Sequence, residues 1–239
     1  MRELRVLEEA IDIWRVLGER WRSLAAAAIE ARGVFTAALS GGRTPVGFYC
    51  YLSRQGGLPW KETELFQVDE RHVPHESEDS NYAMIHSSLL SGGKVRPGGV
   101  HPVEITGSEA AASARRYEDS LKSFFGKGET GWPVFDLILL GIGGDGHTAS
   151  LFPGGTELDE CRRWVTASRP AAARHDRITL TLPVLNECRN VAFLATGRDK
   201  AEMVRRVWEG GEDPRFPASL VRPRESLVIY VDKGAGTCP

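Results

Sequence analysis

Along this chain, short and mostly apolar runs alternate with longer stretches whose apolar residues recur every three or four positions. Residues 34–39, 64–68, 135–140, 191–196 and 227–231 have strand length, and 135–140 is apolar enough for a buried strand. Residues 4–7, 100–105 and 164–167 add shorter strand candidates. In residues 178–182, Ile178, Leu180 and Leu182 alternate with Thr179 and Thr181, the period of a strand with one apolar face. Residues 8–32 read as a helix, because Ile11, Trp14, Leu17, Trp21, Leu24 and Ala28 fall on one stripe and Gly33 is placed to end it. Further helices are predicted over 81–90, 109–125 and 199–209. Another runs from Thr44 as N-cap, with Pro45 in the first helical position, to about residue 54. A short helix is predicted to open at 148–152, before Pro153, Gly154 and Gly155 stop it. Glycine and proline content makes 91–99, 126–133 and 214–217 loops and 183–187 a turn, and the tail from Lys233 is expected to fray.

Strands and helices thus alternate, which predicts an α/β fold with a mainly parallel open sheet flanked by helices, in a single domain over residues 1–239. Three strands end in polar clusters: Ser40-Gly41-Gly42-Arg43-Thr44, Asp69-Glu70-Arg71 and Gly143-Gly144-Asp145-Gly146-His147. In such sheets the ligand site lies beyond the carboxyl ends of the strands, so one rule gathers all three clusters. Arg177 and Lys200, near other strand ends, add positive charge to that place.

The stretch 134–153, VFDLILLGIGGDGHTASLFP, carries the densest signal. A glycine-rich turn between a buried strand and a helix start lets backbone N–H groups face an anion or a reacting oxygen. His147 stands inside it, and an imidazole is the side chain suited to exchange a proton near neutral pH. The run Gly141 to Gly146 also matches G-x-G-x-x-G, but a dinucleotide fingerprint needs a full helix to follow, and Pro153 denies it one. Ser40 to Pro45 is not a Walker loop, since both the spacing and the lysine are missing. His72 and His75 flank Pro74 with no further ligand nearby, so they read as loop histidines rather than metal ligands. No G-x-S-x-G elbow supplies a serine nucleophile.

Composition narrows the class without choosing the reaction. The 239 residues are 41% hydrophobic and 26% charged, with net charge −2, a globular balance with no general attraction for nucleic acid or an anionic membrane. The four cysteines, Cys50, Cys161, Cys188 and Cys238, form no C-x-x-C pair, so neither a zinc site nor a disulfide framework is expected, and a reducing cytoplasm is the simplest compartment. No apolar stretch has membrane-spanning length, and charges at Arg2, Glu3, Arg5, Glu8 and Glu9 break up any signal-peptide core.

Taken together, SGGRTP at 40–45, VDERHVP at 68–74, Ser80-Asn81, LGIGGDGHTASLFP at 140–153, RITLTLPVLN at 177–186 and Lys200 in its GRDK context resemble the 6-phosphogluconolactonase family, in family order from about residue 34 to residue 232. The resemblance implies hydrolysis of 6-phospho-D-glucono-1,5-lactone to 6-phosphogluconate in the oxidative pentose phosphate pathway. It also implies the sugar-phosphate isomerase-like fold shared with glucosamine-6-phosphate deaminase. No cofactor is expected, and no metal is needed for an activated ester of this kind. The partner implied is a small sugar-phosphate lactone, and oligomeric state is left open. By the match of motifs, His147 is the general base with Asp145 beside it, and Arg71 and Asp69 line the same pocket. Ser40, Gly41, Gly42, Arg43 and Thr44, with Gly143, Gly144, Arg174, Arg177 and Lys200, hold the substrate's polar groups. Where the family carries a Lys-Pro-Pro run before the RITLT arginine, this chain has residues 169–176, and Arg169 and Arg174 are both available to replace that lysine.

The chemistry agrees with the resemblance: lactone hydrolysis needs a water nucleophile, a base and donors for the developing oxyanion. His147 is available as the base, and Arg71 or the N–H groups of the glycine loop as the donors. Amino-sugar-phosphate deaminases carry a similar stretch ending in Glu-Pro, where the glutamate serves the histidine relay; here the pair is Phe152-Pro153, and a phenyl ring relays no proton. A non-catalytic sugar-phosphate sensor would need the anion cradle but not the Asp145 and His147 pair.

Overall fold

The computed structural model describes residues 1–126, 131–169 and 174–236. Its first half runs β1 (Arg2–Leu7), α1 (Ala10–Arg32), β2 (Phe35–Leu39), α2 (Arg43–Leu52), β3 (Thr63–Gln67), β4 (Asp69–Arg71), α3 (Asn81–Ile85), β5 (Gly99–His101) and α4 (Ala110–Phe125). Its second half runs β6 (Leu137–Gly141), β7 (Val165–Ser168), β8 (Arg177–Leu180), α5 (Leu182–Glu187), β9 (Asn190–Ala195), α6 (Ala201–Glu209), β10 (Ser226–Asp232) and α7 (Lys233–Gly236). A wider helical turn, His86–Leu90, continues α3.

Seven strands form one sheet in the order β1-β10-β9-β6-β2-β3-β5, and every neighbouring pair is parallel. Its central strands are apolar at consecutive positions because both faces are covered. In β6, Leu137 and Leu139 join a core with Trp14, Trp21 and Phe48 of α1 and α2, whereas Ile138 and Leu140 join a core with Tyr117 and Leu121 of α4. In β9, Ala192 and Leu194 go to the first core and Val191 and Phe193 to the second. The mainly parallel sheet flanked by helices is therefore present as predicted.

A second sheet, antiparallel and ordered β4-β8-β7, was not expected from the chain pattern. Val68 is the crossing point: its N–H donates to the Leu39 carbonyl of the large sheet, and its carbonyl accepts from Leu180 N–H, both at 2.9 Å. Ile178 and Leu180 bring the apolar face of β8 into the core shared with Tyr117 and Leu121. The alternation in residues 178–182 was thus a true strand signal as far as Leu180; Arg177 at its start lies on the wall of the cavity described below, and Leu182 already opens α5.

Other local expectations are corrected. Residues 148–152 form no helix: Leu151 N–H donates to Thr148 O at 2.9 Å, and these two residues make an isolated bridge. Residues 182–187 are a helix rather than a turn, because Pro183 sits in its first turn, where proline lacks no needed donor. Gly42, not Thr44, occupies the cap position of α2, so Arg43 and Thr44 lie in its first turn. The expected frayed tail begins with a helical turn over Lys233–Gly236, where Asp232 Oδ1 accepts from Ala235 N–H at 2.8 Å. The expected loop at 126–133 and the stretch 169–176 each lie partly outside the described residues.

Candidate active site

The carboxyl ends of β2 and β6, with β4, β8 and the start of α6, surround a cavity of about 710 Å3. It is lined by Ser40, Gly41, Gly42, Arg43, Thr44, Asp69, Arg71, Gly143, Gly144, His147, Arg177 and Lys200. Two of the expected residues are not on its wall. Asp145 stands behind His147, and Arg174 is exposed and lines no part of it. Arg169, the other cation offered in that stretch, is also exposed and pairs with Asp176 at 2.7 Å.

At the end of β6 the chain folds into a compact turn. Gly143 N–H donates to His147 O at 2.8 Å, Gly146 N–H donates to Gly143 O at 3.1 Å, and Thr148 Oγ1 donates to Gly141 O at 2.9 Å. Gly143 N–H is therefore spent inside the turn and does not face the cavity as a donor. A side chain at Gly143 would put its Cβ 2.2 Å from His147 Nδ1, so the missing side chain makes room for the imidazole. Asp145 Oδ1 lies 2.6 Å from His147 Nδ1 and accepts from His147 N–H at 3.1 Å. Burial alone would raise the Asp145 carboxyl; the backbone N–H and imidazole of His147 outweigh it and hold the group below the usual carboxylate range. Asp145 thus stays an anion and fixes the ring with Nδ1 toward itself, leaving Nε2 for proton exchange. Phe152 packs on the imidazole with ring centroids 4.6 Å apart.

On the small sheet, Arg71 and Arg177 are directly paired across β4 and β8. Arg71 Nη1 donates to Asp79 O at 2.6 Å and Arg177 Nη1 to His175 O at 2.8 Å. Burial, with Arg71 alongside, pushes the Arg177 guanidinium below its ordinary range. Asp69 is buried, and burial raises its carboxyl despite a 2.7 Å hydrogen bond from Ser150 Oγ and the nearby arginines. Glu70, between them, is neither solvated nor part of the cavity wall. It is fully buried and accepts hydrogen bonds from Gln67 Nε2, Ser80 Oγ and the backbone N–H groups of Arg71, Asn81 and Tyr82. It is the anchor that brings the N-terminus of α3 against β4.

That anchoring places Asn81 on the cavity wall, where its Nδ2 donates to Asp69 O at 2.9 Å. The Asn81 side chain fills the space a Cβ on Gly41 would occupy, at 1.9 Å, which is why the loop after β2 carries glycine there. Lys200, at the start of α6, donates to Ile142 O at 3.0 Å and so ties that helix to the glycine turn. Ser150, Thr196, Asp199 and Trp14 also line the cavity. Ser150 falls within the TASLFP stretch, Asp199 within GRDK and Asn81 within the Ser-Asn pair, whereas Trp14 read only as part of a helix stripe and Thr196 only as the end of a strand. Among the described residues no group of three or more His, Cys, Asp or Glu side chains is arranged to hold a metal ion, and no helix is long and apolar enough to cross a membrane.

The sequence model of the family described as glucosamine-6-phosphate isomerases/6-phosphogluconolactonase matches residues 8–230. A 6-phosphogluconolactonase of Synechocystis is 37% identical over 210 residues, covering 87% of this chain and 86% of its own. A solved 6-phosphogluconolactonase of Thermotoga maritima superposes with a TM-score of 0.84 at 31% identity, over 98% of this chain and 100% of its own. A monomeric glucosamine-6-phosphate deaminase shares the fold, with a TM-score of 0.76 at 22% identity over 98% of both chains. A match across nearly all the elements that build the cavity leaves one conclusion: the chain belongs to the glucosamine-6-phosphate isomerase/6-phosphogluconolactonase family.

Proposed function

We propose that this chain hydrolyses 6-phospho-D-glucono-1,5-lactone to 6-phospho-D-gluconate, with His147 as the general base. The observation that carries the mechanism is the pairing of His147 with Asp145 on a cavity that also presents two adjacent arginines. Nε2 of His147 takes a proton from water as the water oxygen bonds to the lactone carbonyl carbon. The carbonyl becomes an oxyanion, for which Gly144 N–H and the unspent donors of Lys200 are available. Collapse of the tetrahedral adduct breaks the bond to the ring oxygen, and the imidazolium returns its proton there, giving the open-chain acid.

Two like charges fixed opposite each other repel, and a bound dianion neutralises both. Arg71 and Arg177 are accordingly assigned to the phosphate. Of the two oxyanion donors that the sequence left open, Arg71 or the N–H groups of the glycine loop, this reading keeps the glycine loop. The first-turn N–H groups of α2, beyond Gly41 and Gly42, meet further substrate oxygens. The phosphate is chemically remote from the ester, so its binding energy serves to position the carbonyl against water and His147. Phe152 against His147 argues for hydrolysis over deamination, because it offers no carboxylate to a proton relay.

Direct assay of lactone hydrolysis, corrected for the spontaneous reaction, tests the proposal. Turnover of the phosphorylated lactone is expected, with no ammonium from glucosamine 6-phosphate. Binding without turnover would favour a sensor, and sustained ammonium release would favour a deaminase.

A further inference from the structure

The two arginines on the cavity wall are held from behind by residues that do not line it. Arg71 donates to the carbonyl of Asp79, and Arg177 to the carbonyl of His175. The side chains of those same two residues meet, with His175 Nε2 3.0 Å from Asp79 Oδ2. The segments are joined once more where His72 N–H donates to Asp176 O at 2.9 Å. Arg71, Asp79, His175 and Arg177 therefore form a closed ring, completed by the direct pairing of Arg71 with Arg177 across the sheet.

This ring addresses a physical difficulty. Like charges opposite each other on a sheet push apart, and a long arginine side chain has many rotamers in which to do so. Each carbonyl fixes one nitrogen of a guanidinium and leaves its other donors for a ligand. The carbonyls themselves belong to surface segments 96 residues apart in the chain, and the hydrogen bond between their side chains locks one to the other. The hydrogen bond from His175, before any other influence, holds the Asp79 carboxyl below its ordinary range, so Asp79 remains an acceptor.

We propose that Asp79 and His175 form a clasp that sets the spacing of Arg71 and Arg177, making them positioning residues for the recognition of a phosphorylated substrate. The proposal rests on the assignment of the arginine pair to phosphate made above. Neither residue touches the reacting atoms, so the clasp acts on binding rather than on proton transfer.

The test uses the full chain and variants Asp79→Ala, His175→Ala, the double variant and His175→Gln, whose carboxamide keeps a donor. Calorimetric titration with inorganic phosphate is read beside kcat and KM for the phosphorylated and unphosphorylated lactones. Each single alanine variant is expected to weaken phosphate binding and raise KM for the phosphorylated lactone about fivefold, the worth of one partly exposed hydrogen bond. The double variant should go no further than the singles, because the two residues act as one unit. Both kcat and the KM for the unphosphorylated lactone should stay within about twofold, and His175→Gln should recover most of the loss.

Unchanged phosphate affinity in the variants overturns the clasp, as does an equal loss on both lactones or an unaltered chain that binds no phosphate. If the unaltered chain hydrolyses the lactone while the variants keep full phosphate affinity, the clasp fails and the proposed reaction stands. If the unaltered chain lacks turnover but the variants lose phosphate affinity, the reaction fails and the clasp stands.

Discussion

Arg71 and Arg177 face each other across two antiparallel strands that lie more than a hundred residues apart in the chain, and both guanidiniums reach one cavity. A single anion held between them explains why the fold tolerates the repulsion. Arg177→Ala should then lower kcat/KM for the phosphorylated lactone by about 10- to 100-fold, the worth of a charge-assisted hydrogen bond. The unphosphorylated lactone should be nearly unaffected. Measuring both lactones on both proteins makes this a double comparison, and an equal loss on the two would place the phosphate elsewhere.

His147→Ala should reduce kcat by about 10²–10⁴-fold, the range for a general base. Gly143→Ala tests the same group from the other side. A Cβ 2.2 Å from Nδ1 must displace the imidazole, and a shift near 1 Å costs about 10²-fold in rate. Stopped assays with a circular-dichroism check of folding decide both, and a Gly143→Ala enzyme of normal rate would show that the ring position is not critical.

The Asp145 carboxyl is held below its ordinary range in the folded chain. A depressed carboxylate stabilises the folded state above its unfolded pKa of about 3.9, and this contribution fades as pH falls through the lower folded value. Asp145→Asn should therefore lower Tm most near neutral pH, and the gap from the unaltered chain should close as melts are taken toward pH 3. A gap independent of pH would remove the ionised Asp145 carboxylate as its cause.

Asp69 and Glu70 are adjacent buried carboxylates with opposite expectations. The Asp69 carboxyl is raised by burial, so its ionisation works against folding as pH climbs above the unfolded value. Asp69→Asn should leave Tm at pH 7 unchanged or higher, while kcat/KM falls. Glu70→Ala strips partners from three backbone N–H groups and two side chains, and should cost about 3 kcal/mol or more in a denaturant titration. A fall in Tm for Asp69→Asn, or a neutral Glu70→Ala, would reverse the roles assigned here.

Activity should survive exhaustive chelation, since the proposed proton transfers use only His147, water and fixed donors. Loss of turnover restored by added zinc would reveal a metal requirement. The measurement is kcat before and after dialysis against a chelator.

Much of this molecule is written in local pattern. Continuous apolar runs such as 135–140 mark strands covered on both faces, and the stripe from Ile11 to Ala28 marks a helix lying on a sheet. With those, the rule for strand ends was enough to gather Ser40 to Thr44, Asp69 to Arg71 and Gly143 to His147 around one cavity. Periodicity carries this information because it reports which side of an element is buried. It does not report what lies against that side. Hence Asp69-Glu70-Arg71 read as one polar cluster, yet the fold divides it: Asp69 and Arg71 turn to the cavity and Glu70 becomes a buried anchor, because alternate residues of a strand point to opposite faces. Hence also residues 148–152 looked helical but close a tight turn, and Ser150 meets Asp69 across 81 residues of chain. The pairing of β4 with β8, which sets Arg71 against Arg177 and Asp79 beside His175, depends on long-range strand register. That register is chosen by the packing of Ile178 and Leu180 on the far side of the sheet, a choice made only when the whole core assembles.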